Sequence, residues 1–337
     1  MRVGPVAALP QVIQEVGVPV EPVFERARVR LAEFADNNTR LPLQTLGHLA
    51  HDVARRAACP QFGVLVGGRF RLDGMGAIGE LLRHAPTVGR ALRVFAEKFH
   101  IHDSGATPVL MRRPGHGVLL GYAALRQDAT ALRYIYDAAA GILCQMLREL
   151  CGPAFRPRAI ELAYAHPADP GFYRDFFNCD VVFNATVTGV LFDERWLMQP
   201  MDQAHPAAYR ELMGRLYQHE NPHALSTAQR TEHALQQLLL GGAASASAVA
   251  VQLNVSERSL RRKLDAEGQR FRDLLARRRF DYARQLLRDT DLPIGAIATV
   301  LQYQDANAFS RAFRAWADCP PSDWRLHNAP GQAPVHS

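Results

Sequence analysis

Ala250-Val251-Gln252-Leu253-Asn254-Val255-Ser256-Glu257-Arg258-Ser259-Leu260-Arg261-Arg262-Lys263-Leu264 decides the reading of this chain, because its pattern returns about 49 residues downstream. The second copy is Ala298-Thr299-Val300-Leu301-Gln302-Tyr303-Gln304-Asp305-Ala306-Asn307-Ala308-Phe309-Ser310-Arg311-Ala312-Phe313. In each, an alanine (Ala250, Ala298) stands five residues before an apolar turn residue (Val255, Tyr303). A polar or acidic start follows, then an amphipathic helix. Two helices that meet at a wide angle over a short turn need a small residue at the crossing, which the alanines supply. The turn also needs a residue that tolerates positive φ. Asn254 suits that position, since asparagine visits the left-handed region readily, whereas Gln302 is a poorer fit and is expected to carry strain. Ser256 is the expected N-cap of the first recognition helix, with Asp305 an acidic first-turn residue in the second.

The faces of these helices carry the chemistry. Leu260 and Leu264 are four apart and face a core, which leaves Arg258, Arg261 and Arg262 on the other sides. Arginine is the preferred reader of guanine in the major groove, worth about 1–3 kcal/mol per bidentate contact. In the second helix Phe309 and Phe313 pack inward while Ala306, Asn307 and Ser310 look outward. Asn307 suits an adenine edge and Arg311 a phosphate. From Arg258 to Arg288 there are 11 Lys and Arg against 4 Asp and Glu, an excess of 7 that exceeds the +6 of the entire chain. A basic stripe confined to a duplicated helix-turn-helix is the footprint of a phosphate-binding surface, with double-stranded DNA as the partner.

These residues resemble the AraC/XylS family of bacterial transcription regulators. The similarity runs through Ser256–Leu264, Ala283-Arg284-Gln285-Leu286-Leu287-Arg288-Asp289-Thr290-Asp291-Leu292-Pro293-Ile294, Ala308-Phe309-Ser310-Arg311-Ala312-Phe313-Arg314 and Pro320-Pro321-Ser322. It covers about the last 100 residues. The resemblance implies seven helices, with a Phe271–Arg288 helix joining two recognition helices. Base-reading positions would be Arg258, Arg261, Arg262, Ala306, Asn307 and Arg311. Phosphate contacts would fall on Ser256, Lys263, Arg277, Arg278 and Ser310. The family usually has glycine at both turns, where this sequence has Asn254 and Gln302.

Upstream, the chain resembles the arabinose-binding-type sensor of ornithine-utilisation regulators. Leu41-Pro42-Leu43, Leu81-Leu82-Arg83-His84-Ala85-Pro86-Thr87-Val88-Gly89, Ala165-His166-Pro167-Ala168-Asp169-Pro170 and Tyr173-Arg174-Asp175-Phe176-Phe177-Asn178-Cys179 carry that similarity. It implies an effector-binding, dimerising domain and leaves the effector's pocket unknown.

At 337 residues, two domains are expected. An effector-binding and dimerisation domain spans 1–205, a linker region 206–224 with a helix over His205–His219 and a hinge at Glu220-Asn221-Pro222-His223, a DNA-binding domain 225–327 and a frayed tail 328–337. The fold class is an α+β sensor followed by an all-α domain with two helix-turn-helix motifs. In the sensor, Thr107–Arg113 and Gly117–Leu125 read as a hairpin, Ala129–Leu150 as a long helix, and Ile160–Tyr164, Val181–Phe183 and Val187–Phe192 as short strands around a helix at Pro170–Phe177. The apolar content of 48% is that of a globular protein. Five scattered cysteines without a Cys-x-x-Cys pair fit reduced thiols rather than a disulfide framework or zinc site. No signal peptide or 18-residue apolar run is visible, so a bacterial cytoplasmic protein is expected, without a membrane partner and nucleoid-associated when bound to DNA.

Enzyme signals are weak. Gly74-Met75-Gly76-Ala77-Ile78-Gly79 matches a dinucleotide fingerprint, but Arg69-Phe70-Arg71-Leu72-Asp73 before it is too charged for a central strand, and a flexible loop is expected. His100-Ile101-His102-Asp103 fits a helix end better than a metal site, and the aromatic run Phe172, Tyr173, Phe176, Phe177 fits a core better than a ligand cage. No cofactor, metal or catalytic residue is expected. The reading is a homodimeric activator that binds a small effector, such as an amino acid or related catabolic substrate, and acts with RNA polymerase. Two recognition helices about 34 Å apart would enter successive major grooves. Two alternatives remain: a metabolite-converting enzyme fused to a DNA-binding domain, and a constitutive binder whose N-terminal domain only dimerises.

Overall fold

Apolar stripes at helical spacing open the chain. Helices α1 (Leu9–Glu15), α2 (Val20–Ala27), α3 (Leu43–Arg56), α4 (Phe62–Gly68), α5 (Ala77–Arg83) and α6 (Val88–Lys98) follow one another in the computed structural model. It describes residues 1–103, 105–113, 115–124, 129–167, 169–219 and 226–328. Pro42, in extended conformation, starts α3, whose Leu46, Leu49, Ala50 and Val53 are buried. Thr87 caps α6 by accepting a hydrogen bond from the Arg90 amide at 3.2 Å.

Next comes the expected hairpin, β1 (Ala106–Arg113) and β2 (Gly117–Ala124), then the long helix α7 (Ala129–Cys151). Strand β3 (Ala159–Glu161), helix α8 (Gly171–Phe177), strands β4 (Asp180–Val182) and β5 (Thr188–Phe192), and helix α9 (Pro206–His219) complete this part. The strands form one sheet in the order β1-β2-β5-β3-β4. Pairing is antiparallel except for β3 with β4. This is the α+β architecture expected from the sequence. Tyr173 and Phe177 of α8 are fully buried, as a core reading requires.

The chain divides into two compact units: Met1–Leu162 with His166–Glu220, and Ala163–Ala165 with Asn221–Ser337. The helix expected at His205–His219, within the linker region, is α9. That helix packs on α5, buries Leu212 and Leu216, and accepts a hydrogen bond from Arg90 on the Tyr209 hydroxyl at 2.9 Å. The hinge expected at 220–223, the domain start at 225, Leu125 and the tail from 329 lie outside the described residues.

The glycine fingerprint is a packing device, not a nucleotide loop. Leu72–Met75 is a 3₁₀ turn rather than a strand, and the helix behind it has only seven residues. A Cβ on Gly79 would strike the Leu72 carbonyl oxygen, and one on Gly74 would lie 2.9 Å from the Gly4 carbonyl carbon. These contacts replace the loop expected there. All five cysteines are free, and burial pushes the Cys144 thiol up to about 11 and Cys151 to about 12. Among the described residues no helix is long and apolar enough to cross a membrane.

Helices α4 and α7 cross with their backbones in near contact. A Cβ on Gly67 would collide with the Ala138 carbonyl oxygen, and one on Gly141 would lie 2.8 Å from the Gly67 Cα. Gly67→Ala is therefore expected to destabilise by about 1–3 kcal/mol through overpacking. Gly214→Ala on α9, where a Cβ meets open space, should be neutral or stabilising. Urea unfolding of the full chain distinguishes the two; an unchanged midpoint for Gly67→Ala would refute the crossing.

Candidate nucleic-acid interface

Among the described residues, seven helices make up the second unit: α10 (Thr227–Leu240), α11 (Ala246–Gln252), α12 (Glu257–Ala266), α13 (Phe271–Asp289), α14 (Ile294–Val300), α15 (Ala306–Ala317) and α16 (Pro321–Asn328). Helices α11–α12 and α14–α15 are the two helix-turn-helix copies. Their turns are built alike, atom for atom. Asn254 has φ 54° and Gln302 φ 59°. The Val255 amide donates to the Ala250 carbonyl at 2.9 Å, and the Tyr303 amide to the Ala298 carbonyl at 3.0 Å. The Asn254 and Gln302 amides donate to Val251 and Thr299 carbonyls, both at 3.0 Å. These paired bonds form a Schellman C-cap around a left-handed residue. The five-residue spacing seen in the sequence is the spacing of that hydrogen bond.

Each recognition helix then starts on a capping side chain. Ser256 Oγ accepts from the Ser259 amide at 3.2 Å. Asp305 is itself the N-cap, one position earlier than the first-turn place expected, and its carboxylate accepts from the Ala308 amide at 2.7 Å. Behind α12, Leu260 and Leu264 join a core with Leu235, Val249, Ala250 and Leu274. Behind α15, Phe309 and Phe313 are buried, Phe313 lying 5.2 Å from Phe280 and 6.0 Å from Trp324 between ring centres.

Helix α13 belongs to both cores. It packs on α10 along one part and on α14, α15 and α16 along the other. Leu274 serves the first core, while Tyr282, Ala283, Leu286 and Leu287 are buried further along. Its 19 residues span about 28 Å at 1.5 Å per residue.

The faces left to solvent are those expected. Arg258, Arg261, Arg262 and Lys263 are exposed on α12, as is Ser256 at its start. Arg261 donates to Glu257 at 2.7 Å across one helical turn. On α15, Asn307 and Arg311 are exposed, with Ala306 and Ser310 partly so. Arg277 is half-buried and donates to Gln269 at 2.8 Å.

Arg278 departs from the expectation and drops out of the phosphate set. It is 8% exposed, and its guanidinium donates to Glu232 of α10 at 2.6 Å with Asp281 at 3.8 Å. A charge already buried and paired cannot also reach a phosphate. Its role is to hold α13 to α10.

Three structural roles were hidden from the sequence. Gln302, seen only as a strained turn, uses its side chain to tie the second turn to the first half of the unit. Its Nε2 donates to the Leu239 carbonyl at 2.9 Å, and its Oε1 accepts from the Ala244 amide at 3.2 Å. Arg279 adds a bond to the Gln302 carbonyl at 3.1 Å and lies 4.8 Å over the Tyr303 ring. Glu267, at the end of α12, accepts from the Thr227 and Ala228 amides at 2.7 and 2.8 Å and so caps α10. Burial works to raise its pKa, but these amide bonds hold it below the usual carboxylate range.

Comparison with known proteins agrees with this geometry. Residues 17–201 match the arabinose-binding domain of AraC transcription regulators, and residues 249–327 a helix-turn-helix domain. The chain belongs to the AraC family of transcription regulators. It is 28% identical to the HTH-type transcriptional regulator VirS of Mycobacterium tuberculosis, over 80% of this chain and 79% of that one. It is 26% identical to the ornithine utilization regulator of Pseudomonas aeruginosa, over 94% of each. The solved transcriptional regulator CdpR of Pseudomonas aeruginosa is 25% identical, covering 91% of this chain and 96% of that one, at a TM-score of 0.44. This AraC-family protein is a DNA-binding transcription regulator with an effector-binding type of N-terminal domain.

Two outcomes test the scaffold. Arg278→Ala should cost about 3 kcal/mol, because it strands Glu232 in a partly buried site, and should leave the salt dependence of DNA binding unchanged; a shallower salt slope would return Arg278 to the phosphate set. Gln302→Ala and Gln302→Gly both lose the side-chain ties, but only glycine relieves the left-handed backbone. The alanine variant is therefore expected to be the less stable by about 1 kcal/mol. Equal stabilities in thermal unfolding would show that the turn carries no strain.

Proposed function

We propose that the two recognition helices read sequence together, each in its own major groove. Arg258, Arg261 and Arg262 on α12, and Ala306, Asn307 and Arg311 on α15, would face bases. Ser256, Lys263, Arg277 and Ser310 would hold phosphates and fix the register without specifying sequence. The observation that carries this reading is that α12 and α15 each set an exposed basic or polar face opposite a buried stripe, Leu260/Leu264 and Phe309/Phe313, and that both stripes pack with side chains of α13.

In this proposal the first unit binds a small-molecule effector and dimerises, and the effector's unequal affinity for two states shifts the DNA-competent population. The regulator acts as an activator with RNA polymerase, in the cytoplasm, and performs no catalysis of its own. Family membership and regulator relatives support that reading. The relative's name keeps amino-acid-like metabolites among the effectors to screen.

Selection of sites from random duplexes with the full chain, followed by variants, tests the assignment. Arg262→Ala should weaken the selected site by about 1–3 kcal/mol and relax preference at one base pair. Lys263→Ala should weaken all sequences alike and reduce the salt slope by about 1. Exchange of these two behaviours would reverse the assigned roles, and no selected consensus at all would end the proposal.

A further inference from the structure

Within the first unit, α3, α6, α7 and β2 surround a cavity of about 70 Å³. Leu43, Leu46, Phe95, Ile135, Leu143 and Met146 give it apolar walls; among the described residues no lysine or arginine lines it, and the Met1 ammonium there donates to the Leu41 carbonyl at 2.7 Å and lies 3.7 Å from Asp103. One end is different. His102, just beyond α6, lines the cavity at 1% exposure, and neither of its ring nitrogens has a hydrogen-bond partner. Native proteins rarely leave a buried polar side chain unsatisfied, so such a group calls for an explanation.

Its neighbour does not supply the missing partner. Asp103 also lines the cavity at 2% exposure, but its carboxylate accepts from the Gly105 amide at 2.8 Å and from the Tyr122 hydroxyl at 3.4 Å. Among the lining residues, the imidazole nitrogens are the buried side-chain polar atoms left over. Nor does the His-Ile-His-Asp segment make a metal site. Among the described residues no three His, Cys, Asp or Glu side chains converge as one would require. Burial, reinforced by Arg2, the chain's N-terminus and Arg40, pushes the His102 pKa down to about 3. The ring is neutral at physiological pH, so one nitrogen donates and the other accepts.

We propose that this cavity is the effector site and that it takes a molecule with a hydrocarbon body and one uncharged hydroxyl-type head, as a primary alcohol has, hydrogen-bonded to one of the two ring nitrogens of His102. The inference rests on the reading of the first unit as an effector-binding domain. It also narrows that reading. An amino acid would bring two charges into a space whose one carboxylate, Asp103, and one ammonium, that of Met1, are already engaged with each other, and a buried charge needs a partner. Apolar walls match the body of an alcohol, and one orphan nitrogen of the imidazole gives its hydroxyl a partner.

Thermal unfolding and DNA-binding titrations of the full chain test this with three probes of matched size, 1-propanol, propionate and free L-alanine. Propanol should raise the unfolding temperature in a concentration-dependent way, while propionate and alanine at equal concentration should not. His102→Phe keeps a planar ring but removes both nitrogens, and should weaken propanol binding about tenfold or more. His102→Gln, which retains a donor and an acceptor, should bind more tightly than the phenylalanine variant. Absence of a propanol shift in the wild type, equal propanol binding by all three proteins, or a His102-dependent shift with propionate or alanine would overturn the proposal. Propanol binding that leaves DNA affinity unchanged would uphold the ligand class but sink effector control through this site. A different metabolite that changes DNA affinity without competing with propanol would uphold effector control and sink the site.

Discussion

A pair of recognition helices can act on one duplex only if something fixes the distance between them, and in this regulator that constraint is helix α13. It is not a passive linker. Both hydrophobic cores include its side chains, so neither helix-turn-helix can move without disturbing packing on α13. Arg278 and Glu232 lock one end, with the guanidinium almost wholly removed from water. Gln302 and Arg279 lock the second turn against the other half. A buried ion pair of this kind contributes little net stability, but its loss is costly, because one unpaired charge remains. Its value here is geometric.

Much of the DNA-binding unit was legible in the sequence because its decisive contacts are local. The Ala250–Val255 and Ala298–Tyr303 hydrogen bonds span five residues, and the caps at Ser256 and Asp305 span three. Helical spacing sorted Leu260, Leu264, Phe309 and Phe313 from the arginines without any tertiary information. The same reasoning failed where a residue's partner lies far away. Arg278 reads as one more surface cation until Glu232, 46 residues upstream, is placed beside it. Gln302 reads as a misfit until the Leu239 carbonyl, 63 residues away, meets its amide. Strain at one torsion is offset there by hydrogen bonds that a glycine could not make.

The first unit was legible as α+β because its hairpin and long helix carry strong periodicity, whereas its cavity was not. Residues from Leu43 to Met146 contribute to the walls, and their sequence separation gives no sign that they meet. His102 could be read only as a residue at a helix end. What distinguishes it is burial without a partner, a property of the folded chain. Likewise the glycines at 74, 76 and 79 match a nucleotide motif by spacing, but packing against Gly4 and Leu72 explains two of them. Spacing proposes chemistry; the neighbours decide it.

The most direct test of the account is hydroxyl-radical footprinting of the full-length protein on a selected binding site. Two recognition helices held by a rigid α13 predict, for each bound chain, two protected patches on one face of the duplex, about 34 Å or one helical turn apart. The spacing should persist in Arg262→Ala, which weakens contact without altering the scaffold. A single patch per chain, or two patches whose separation varies from site to site, would contradict the claim that α13 sets the distance.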